Sequence, residues 1–188
     1  MKIFIVRHGQ DEDNANGILN GHRDKPLTEL GREQAKTTGL KLKGENIDVV
    51  FASPLKRAFE TAQIISQVAD FPEPIKEDLL IERDFGIFTG KPVADIPILA
   101  KKVYKGDKIN YFLEEGEVFP ELLKRGKKLL EKLSKEYPDK NILLATHGDI
   151  AKMIQASYHK WTWEEALKTP YFDNTGVIIL TDNKDVIE

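Results

Sequence analysis

Four short apolar runs, separated by longer amphipathic stretches, constrain the fold of this 188-residue chain more than any other feature. The runs lie at residues 3–6, 49–52, 142–146 and 177–180 and are typical of buried strands. The stretches between them carry apolar residues at helical spacing. Strands that alternate with helices predict an α/β fold with a mostly parallel sheet covered on both faces.

Local signals predict where several of these elements begin and end. Thr28 is a candidate N-cap for the helix that follows the first strand. Ser53 and Pro54 are expected at the N-cap and first position of the next helix. A later amphipathic helix should end near Tyr137, and residues 177–180 are expected to form the last strand.

The composition limits the classes of function that fit the chain. Its 28 basic and 31 acidic residues give a net charge of −3, which does not favour nucleic acid or an anionic membrane as a partner. The absence of cysteine excludes disulfides, thiolate metal sites and a cysteine nucleophile. No apolar run reaches membrane length and no linker or repeat divides the chain, so we expect one domain over residues 1–188, in the cytoplasm.

Two histidine–glycine steps each follow a predicted strand. The first contains His8, the second contains His147, and the turn that leads to Arg57 follows a third strand. Ligands of open α/β sheets bind outside the carboxyl ends of the strands, so these three side chains should converge there. The helices that follow would direct N–H groups to the same edge and favour an anion.

The residue types at this edge favour phosphate as the anion. The guanidinium forks of Arg7 and Arg57 match two phosphate oxygens at once. Gly9 and Gly148 lack a Cβ atom, so an anion can approach the main chain closely.

A neutral imidazole at this edge would be a competent nucleophile towards phosphorus. His8 is the candidate, and the neighbouring arginines should lower its pKa and keep it neutral. His147 could donate hydrogen bonds to the oxygens of the transferred phosphoryl group.

A leaving alkoxide also needs a proton, and Glu82 is the candidate donor. A carboxyl beside a phosphate dianion should have a raised pKa and so hold a proton. Glu77, Asp78 and Asp84 are alternative donors that spacing alone does not exclude.

The same residues also allow other interpretations. Two histidines and a glutamate could bind a metal, but no closely spaced ligand pair exists and Arg7 would repel a dication, so no metal is predicted. Arg57 by itself could be a solvated helix residue. His22 and His159 are expected to be capping or packing residues.

Five blocks of the sequence, in order, resemble the signature of the histidine phosphatase superfamily, the phosphoglycerate mutase-like proteins. The blocks are Arg7-His8-Gly9 with Asn14, Asn20-Gly21 and residues 24–35; residues 53–62; Leu80-Ile81-Glu82 with Phe85-Gly86 and Gly90; Gly116-Glu117 with Arg125; and Thr146-His147-Gly148. The resemblance covers nearly the whole chain.

The resemblance implies a three-layer α/β/α fold around a six-stranded mixed sheet with one antiparallel strand. It makes His8 the phosphohistidine and Glu82 the general acid and base, with no metal or organic cofactor. The phosphate pocket that it implies contains Arg7, Arg57, His147, Asn14, Asn20 and Gly21.

The chain departs from the family pattern at a few positions. Gln10-Asp11 stands where Glu-Thr is common, Asn20 where many members have Gln, and Val118 where a serine is common. None of these changes removes a catalytic group, so they bear on the fit of the substrate.

Three functions are compatible with these residues. The favoured one is a phosphomonoester phosphatase that acts on a small phosphorylated metabolite through phosphorylated His8. The alternative is a phosphoglycerate mutase primed by 2,3-bisphosphoglycerate, and the third is a phospho-ligand-binding protein without turnover. Such mutases are usually longer and carry an Arg-Arg block, and this chain has no Arg-Arg pair.

The sequence says less about specificity. Glu82-Arg83 with Phe85-Gly86 is mutase-like, and Arg83 or Lys91 could bind a substrate carboxylate. Specificity is expected in the irregular stretch 83–119, with Trp161 and Trp163 as further candidates.

Overall fold

A six-stranded mixed sheet organises the protein in the computed structural model, which describes residues 1–103, 115–171, 173–180 and 186–187. The strands are β1 (Lys2–Arg7), β2 (Val49–Ala52), β3 (Ile75–Lys76), β4 (Asn141–Thr146), β5 (Val177–Leu180) and β6 (Val186–Ile187). The helices are α1 (Glu12–Ala15), α2 (Glu29–Leu42), α3 (Lys56–Ala69), α4 (Ile96–Val103), α5 (Phe119–Glu136), α6 (Gly148–His159) and α7 (Trp163–Leu167). In the described ranges, no helix combines the length and the apolar character needed to span a membrane.

The order of the strands is β3-β2-β4-β1-β5-β6. Strands β1, β2, β3 and β4 pair in parallel, whereas β5 runs antiparallel to both β1 and β6. The predicted mixed, mostly parallel sheet is therefore confirmed. The expectation that residues 177–180 form the last strand is wrong, because β6 follows and pairs with β5.

Helices cover both faces of the sheet, as the side chains of β1 show. Ile3 and Ile5 pack in one buried cluster with residues of α5, α6 and α7. Phe4 and Val6 pack in a second cluster with residues of α2 and α3. Because successive side chains of a strand point to opposite faces, a strand buried on both sides must be apolar throughout.

The predicted boundaries of two helices are confirmed. The Thr28 hydroxyl accepts a hydrogen bond from the Gly31 amide at 3.1 Å and so caps α2. Helix α5 ends at Glu136, with Tyr137 as its C-cap.

The predicted start of α3 is wrong. The helix begins at Lys56 after Leu55, which provides no side-chain cap. Ser53 is completely buried in the sheet edge, and its hydroxyl lies 2.8 Å from Nε2 of His147. The Ser53 hydroxyl still accepts from the Leu55 amide at 3.4 Å, but α3 begins beyond this bond.

The register of the strands explains why the site residues meet. Arg7 at the end of β1 pairs with Thr146 at the end of β4, and Ala52 of β2 pairs with Ala145. The residues that follow these positions therefore leave the sheet side by side at one edge.

The irregular stretch 83–119 contains more structure than the sequence indicates. Two short 3₁₀ turns, Gly86–Phe88 and Val93–Asp95, precede α4. Residues 104–114 of this stretch lie outside the described part of the chain.

Candidate active site

The hydrogen bonds of the His8 ring define its reactive nitrogen. Nδ1 lies 2.7 Å from the carbonyl oxygen of Gly9, and because a carbonyl only accepts, Nδ1 carries the proton. Nε2 therefore keeps its lone pair, which accepts a hydrogen bond from Nε of Arg57 at 3.2 Å. The geometry presents Nε2 as the nucleophilic atom.

The surroundings of His8 keep it neutral. Burial lowers the pKa of His8 well below its usual value, and the cationic Arg57 and Arg7 lower it further against the opposing bond to Gly9. The predicted direction is thus confirmed, with burial as a larger cause than the arginines.

Gly9 is required by packing. A Cβ atom at this position would lie 2.4 Å from the carbonyl oxygen of Gly31, at the start of α2. This close approach of two backbones accounts for the glycine without the phosphate approach that the sequence suggested.

Arg57 is a fully buried residue, which excludes its interpretation as a solvated helix residue. Its terminal nitrogens donate to the carbonyl oxygens of Arg23 and Gly21, each at 2.7 Å. Gly21 adopts a φ of 50°, and a Cβ there would lie 2.9 Å from the Phe85 ring. The chain thus folds tightly around the guanidinium and holds it beside His8.

Asp11 is a site residue that the sequence indicated only as a departure from the family pattern. Oδ1 accepts from the Asn14 amide at 2.7 Å, and Oδ2 accepts from the Asn20 side chain at 2.6 Å. The same Oδ2 lies 3.3 Å from Nε of Arg57. Burial raises the pKa of Asp11, while these donors and the cation lower it. One buried carboxyl therefore positions three of the predicted pocket residues.

His147 lies beside His8, with 5.0 Å between the ring centroids. Its Nδ1 is buried and has no hydrogen-bond partner in the described residues. The Ser53 hydroxyl accepts from the Leu55 amide at 3.4 Å, so its own proton can be donated to Nε2 of His147 at 2.8 Å. The proton of His147 would then reside on Nδ1. Burial, together with nearby cations, lowers the pKa of this ring well below its usual value.

The carboxylate of Glu82 lies against the first turn of α6. Its oxygens accept from the backbone amides of Arg83 at 2.8 Å, Ile150 at 3.3 Å and Asp149 at 3.4 Å. These amides of α6 therefore bond to a protein carboxyl, whereas the sequence had suggested a bound anion for them. Burial raises the pKa of Glu82, and the neighbouring Asp149 raises it further, against the opposing amides.

The three alternative proton donors are placed elsewhere. Glu77 pairs with Lys132 at 2.5 Å, and Asp84 accepts from the Gly86 amide at 2.9 Å. Neither residue lines the cavity described below, and nor does the exposed Asp78.

Arg125 supports the segment that carries Glu82. It donates to the carbonyl oxygens of Leu79, Ile81 and Glu82, and it pairs with Glu117 at 2.7 Å. The weaker fourth sequence block therefore has a structural role near the site.

A cavity of about 340 Å³ opens at this edge of the sheet. The described residues that line it are Arg7, Asn14, Ile18, Leu19, Asn20, Glu82, Arg83, Phe85, Phe88, Val93, Ile96, Phe119, Gly148, Asp149 and Tyr171. Six of these were predicted as site residues from the sequence, namely Arg7, Asn14, Asn20, Glu82, Arg83 and Gly148. The other predicted site residues do not line the cavity. Three of them are buried, with exposed fractions of 2% for His8 and 0% for Arg57 and His147. Gly21 contributes through its carbonyl oxygen, which accepts a hydrogen bond from Arg57.

The two candidate cations for a substrate carboxylate differ in position. Arg83 lines the cavity, but Nε donates to the Glu117 carbonyl at 2.7 Å and a terminal nitrogen lies 3.5 Å from Asp149. The guanidinium also lies 3.8 Å from the centroid of the Phe119 ring. Lys91 is exposed and does not line the cavity.

The tryptophans and the remaining histidines lie around the site. Trp161 and Trp163 pack against the core, and neither lines the cavity. Trp163 stacks at 5.8 Å on Phe119, which does line it. His159 stacks on Trp161 at 4.6 Å, as a packing residue would, whereas His22 is bonded to the Glu82 carbonyl at 2.7 Å.

The ligand class that suits this edge of the sheet is an anion with several oxygens. Two guanidiniums and two neutral imidazoles converge beside a carboxyl whose pKa is raised. In the described ranges no group of three His, Asp or Glu side chains is arranged to hold a metal ion. These features define an α/β enzyme of phosphoryl transfer.

The chain belongs to branch 1 of the histidine phosphatase superfamily, whose family model matches residues 3–187. It is similar to phosphoserine phosphatase 1 of Hydrogenobacter thermophilus, with 32% identity over 78% of this chain and 71% of that protein. It is also similar to a broad-specificity phosphatase of Saccharomyces cerevisiae, with 31% identity over 98% of this chain and 81% of that protein.

Solved structures show the same likeness. A phosphoserine phosphatase of Entamoeba histolytica in complex with 3-phosphoglyceric acid matches with a TM-score of 0.82 and 28% identity. The match covers 99% of this chain and 94% of that one. The three-layer α/β fold is therefore that of the superfamily.

Proposed function

We propose that this protein is a phosphomonoester phosphatase that transfers a phosphoryl group to His8 and then to water. The observation that carries the proposal is the bond from Nδ1 of His8 to the Gly9 carbonyl. It leaves a lone pair on Nε2 of a ring whose pKa is well below its usual value. A neutral imidazole with a defined lone pair is suited to attack phosphorus.

In the first step Nε2 of His8 attacks the phosphorus atom, so an N–P bond forms and the ester P–O bond breaks. Arg57 now donates to Nε2 at 3.2 Å, and this donor would pass to a phosphoryl oxygen as the substrate binds. Arg7 and Asn14 line the cavity, and Nδ1–H of His147 would donate to another oxygen. Such prepositioned donors supply most of the catalysis in phosphoryl transfer.

Glu82 would supply and recover the proton. In its protonated form it donates to the leaving alkoxide, and its carboxylate then accepts a proton from the attacking water. The N–P bond breaks in this second step, which restores neutral His8 and protonated Glu82. The raised pKa of Glu82 supports this role, because it favours the protonated form before the substrate binds.

Turnover of para-nitrophenyl phosphate without added metal, followed by an acid-labile phosphoenzyme, tests the proposal. His8→Ala should abolish both signals, because the nucleophile is lost. His159→Ala is the matched control, because His159 stacks on Trp161 and does not line the cavity. Phosphohistidine formation by the His8 variant would refute the assignment.

A second assay separates the three functions. With 3-phosphoglycerate and 2,3-bisphosphoglycerate, rapid formation of 2-phosphoglycerate without comparable release of phosphate would establish a mutase. No hydrolysis over a broad pH range and substrate panel would leave a binding protein. We also propose that no metal is needed, so loss of activity with EDTA would contradict that part. A cytoplasmic location stays a prediction from the sequence.

A further inference from the structure

A separate apolar cluster builds much of the cavity wall. Phe88 is 2% exposed, and Leu19, Phe85, Ile96 and Leu99 pack against it, apart from the two clusters on the faces of the sheet. All but Leu99 line the cavity. The further apolar residues of the lining are Ile18, Val93 and Phe119. Because the two other clusters already cover the faces of the sheet, this third cluster has another role.

Backbone hydrogen bonds hold this wall in place. The Leu19 amide donates to the Lys91 carbonyl at 2.9 Å, and the Gly90 amide returns a bond to the Leu19 carbonyl at 2.8 Å. The Val93 amide donates to the Gly17 carbonyl at 2.8 Å. The two segments are therefore tied together, so the apolar surface is preformed. A preformed surface binds a ligand without the cost of ordering a loop.

The charges beside this wall disfavour a carboxylate on the substrate. Arg83 is paired with Asp149 at 3.5 Å and stacked on Phe119 at 3.8 Å. Asp149 also lines the cavity. A substrate carboxylate would have to compete with Asp149 for this guanidinium. An uncharged organic group meets no such cost.

We infer that the preferred substrates are phosphomonoesters whose organic group is apolar, an alkyl chain or an aromatic ring without a carboxylate near the phosphate. The inference rests on the proposed phosphatase activity. The phosphoryl group would bind beside His8, and the organic group would lie against Leu19, Phe85 and Val93. A cavity of about 340 Å³ is within the size range of small-ligand sites.

A series of n-alkyl phosphates from ethyl to hexyl tests this inference. The leaving alcohols have nearly equal acidity, so the chemistry stays constant while the buried apolar area grows. We expect kcat/KM to rise about threefold to fourfold per methylene while the chain lies on the wall. Phosphoserine and 3-phosphoglycerate should have lower kcat/KM than butyl phosphate.

A flat series, or a higher kcat/KM for the two carboxylates, would overturn the inference and leave the phosphatase proposal standing. Absence of hydrolysis with every ester, without a phosphoenzyme, would instead refute the proposed function and this inference with it.

Substitution of a wall residue tests whether the dependence of kcat/KM on chain length arises from the apolar wall. Val93 lines the cavity and is 51% exposed, so Val93→Asp should fold, and it should flatten the dependence of kcat/KM on chain length. Ile98→Asp is the matched control, because Ile98 is 59% exposed and does not line the cavity. Val93→Ala, which introduces no charge, should lower kcat/KM for hexyl phosphate about twofold to fivefold. An unchanged chain-length dependence in both Val93 variants would contradict the inference.

Discussion

Nε2 of His147 lies 2.8 Å from the hydroxyl oxygen of Ser53, and both side chains are completely buried. The Leu55 amide donates to the same hydroxyl at 3.4 Å. The hydroxyl can therefore accept from the amide while it donates to the imidazole, which leaves the ring proton on Nδ1. Ser53 would thus position His147 without touching the substrate.

Ser53→Ala should lower kcat about tenfold or more with a smaller change in KM, because His147 would lose the partner that orients its donor. Steady-state kinetics with an alkyl phosphate would measure the changes in kcat and KM separately. Ser66→Ala is the control, since the Ser66 hydroxyl is also buried but has no hydrogen-bond partner in the described residues. Equal effects of the two substitutions on kcat would contradict a positioning role.

Asp149→Asn should move the alkaline limb of the kcat profile to lower pH. The phosphorylation step needs protonated Glu82, so activity falls as the pH rises through the pKa of Glu82. The charge of Asp149 raises that pKa, and the substitution removes the charge. An asparagine can still accept the hydrogen bond that Tyr171 donates to Asp149 at 2.6 Å. The exposed Asp78→Asn is the control, and a limb that does not move in Asp149→Asn would refute the coupling.

Glu82→Gln should slow alkyl phosphates about 100-fold or more, within the usual range for loss of a general acid. Phenyl esters should lose much less, because a phenolate leaves with less need of a proton. The comparison requires kcat for both ester types in the variant and in the unchanged protein. Equal losses would argue against an acid role.

His8 and His147 should each make a contribution to the free energy of unfolding that decreases as the pH falls below about 6.5, the ordinary pKa of histidine, whereas the raised pKa of Glu82 contributes with the opposite sign. His8 and His147 have folded-state pKa values well below 6.5, so the unfolded chain binds more protons there. Each ring should contribute about 1.4 kcal/mol per pH unit between its unfolded and folded pKa values. Urea unfolding at several pH values would measure this slope. His147→Asn should remove the contribution of one ring, about 1.4 kcal/mol per pH unit, from this slope. An unchanged slope would contradict the lowered pKa of His147.

The start of α2 was predictable because it depends on local sequence. The cap of α2 follows from Thr28, whose hydroxyl needs only the amide of Gly31, three residues away. The same reasoning placed the N-cap of α3 at Ser53, whereas the structure has it at Leu55. It also could not indicate the buried contact of the Ser53 hydroxyl with His147, 94 positions away.

The stretch 83–119, where specificity was expected, supplies Phe85, Phe88, Val93, Ile96 and Phe119 of the cavity wall, but the sequence did not indicate which of its residues would do so. The stretch after Arg83 has no clear periodicity, and its apolar residues gain a role only when Leu19 packs against them. The engagement of Arg83 by Asp149 likewise joins two segments that are 66 positions apart. A cation that the sequence offers to a substrate is therefore already paired in the fold.

The sequence by itself determined the α/β class and the position of His8 and His147 at strand ends, because buried parallel strands deliver the residues that follow them to one edge of the sheet. Only the tertiary structure decided which nitrogen of His8 is reactive, what orients His147 and how Asp11 supports Arg57. These outcomes depend on hydrogen bonds and desolvation between side chains that are distant in sequence. Such contacts exist only after the strands have paired in register and the helices have closed over them.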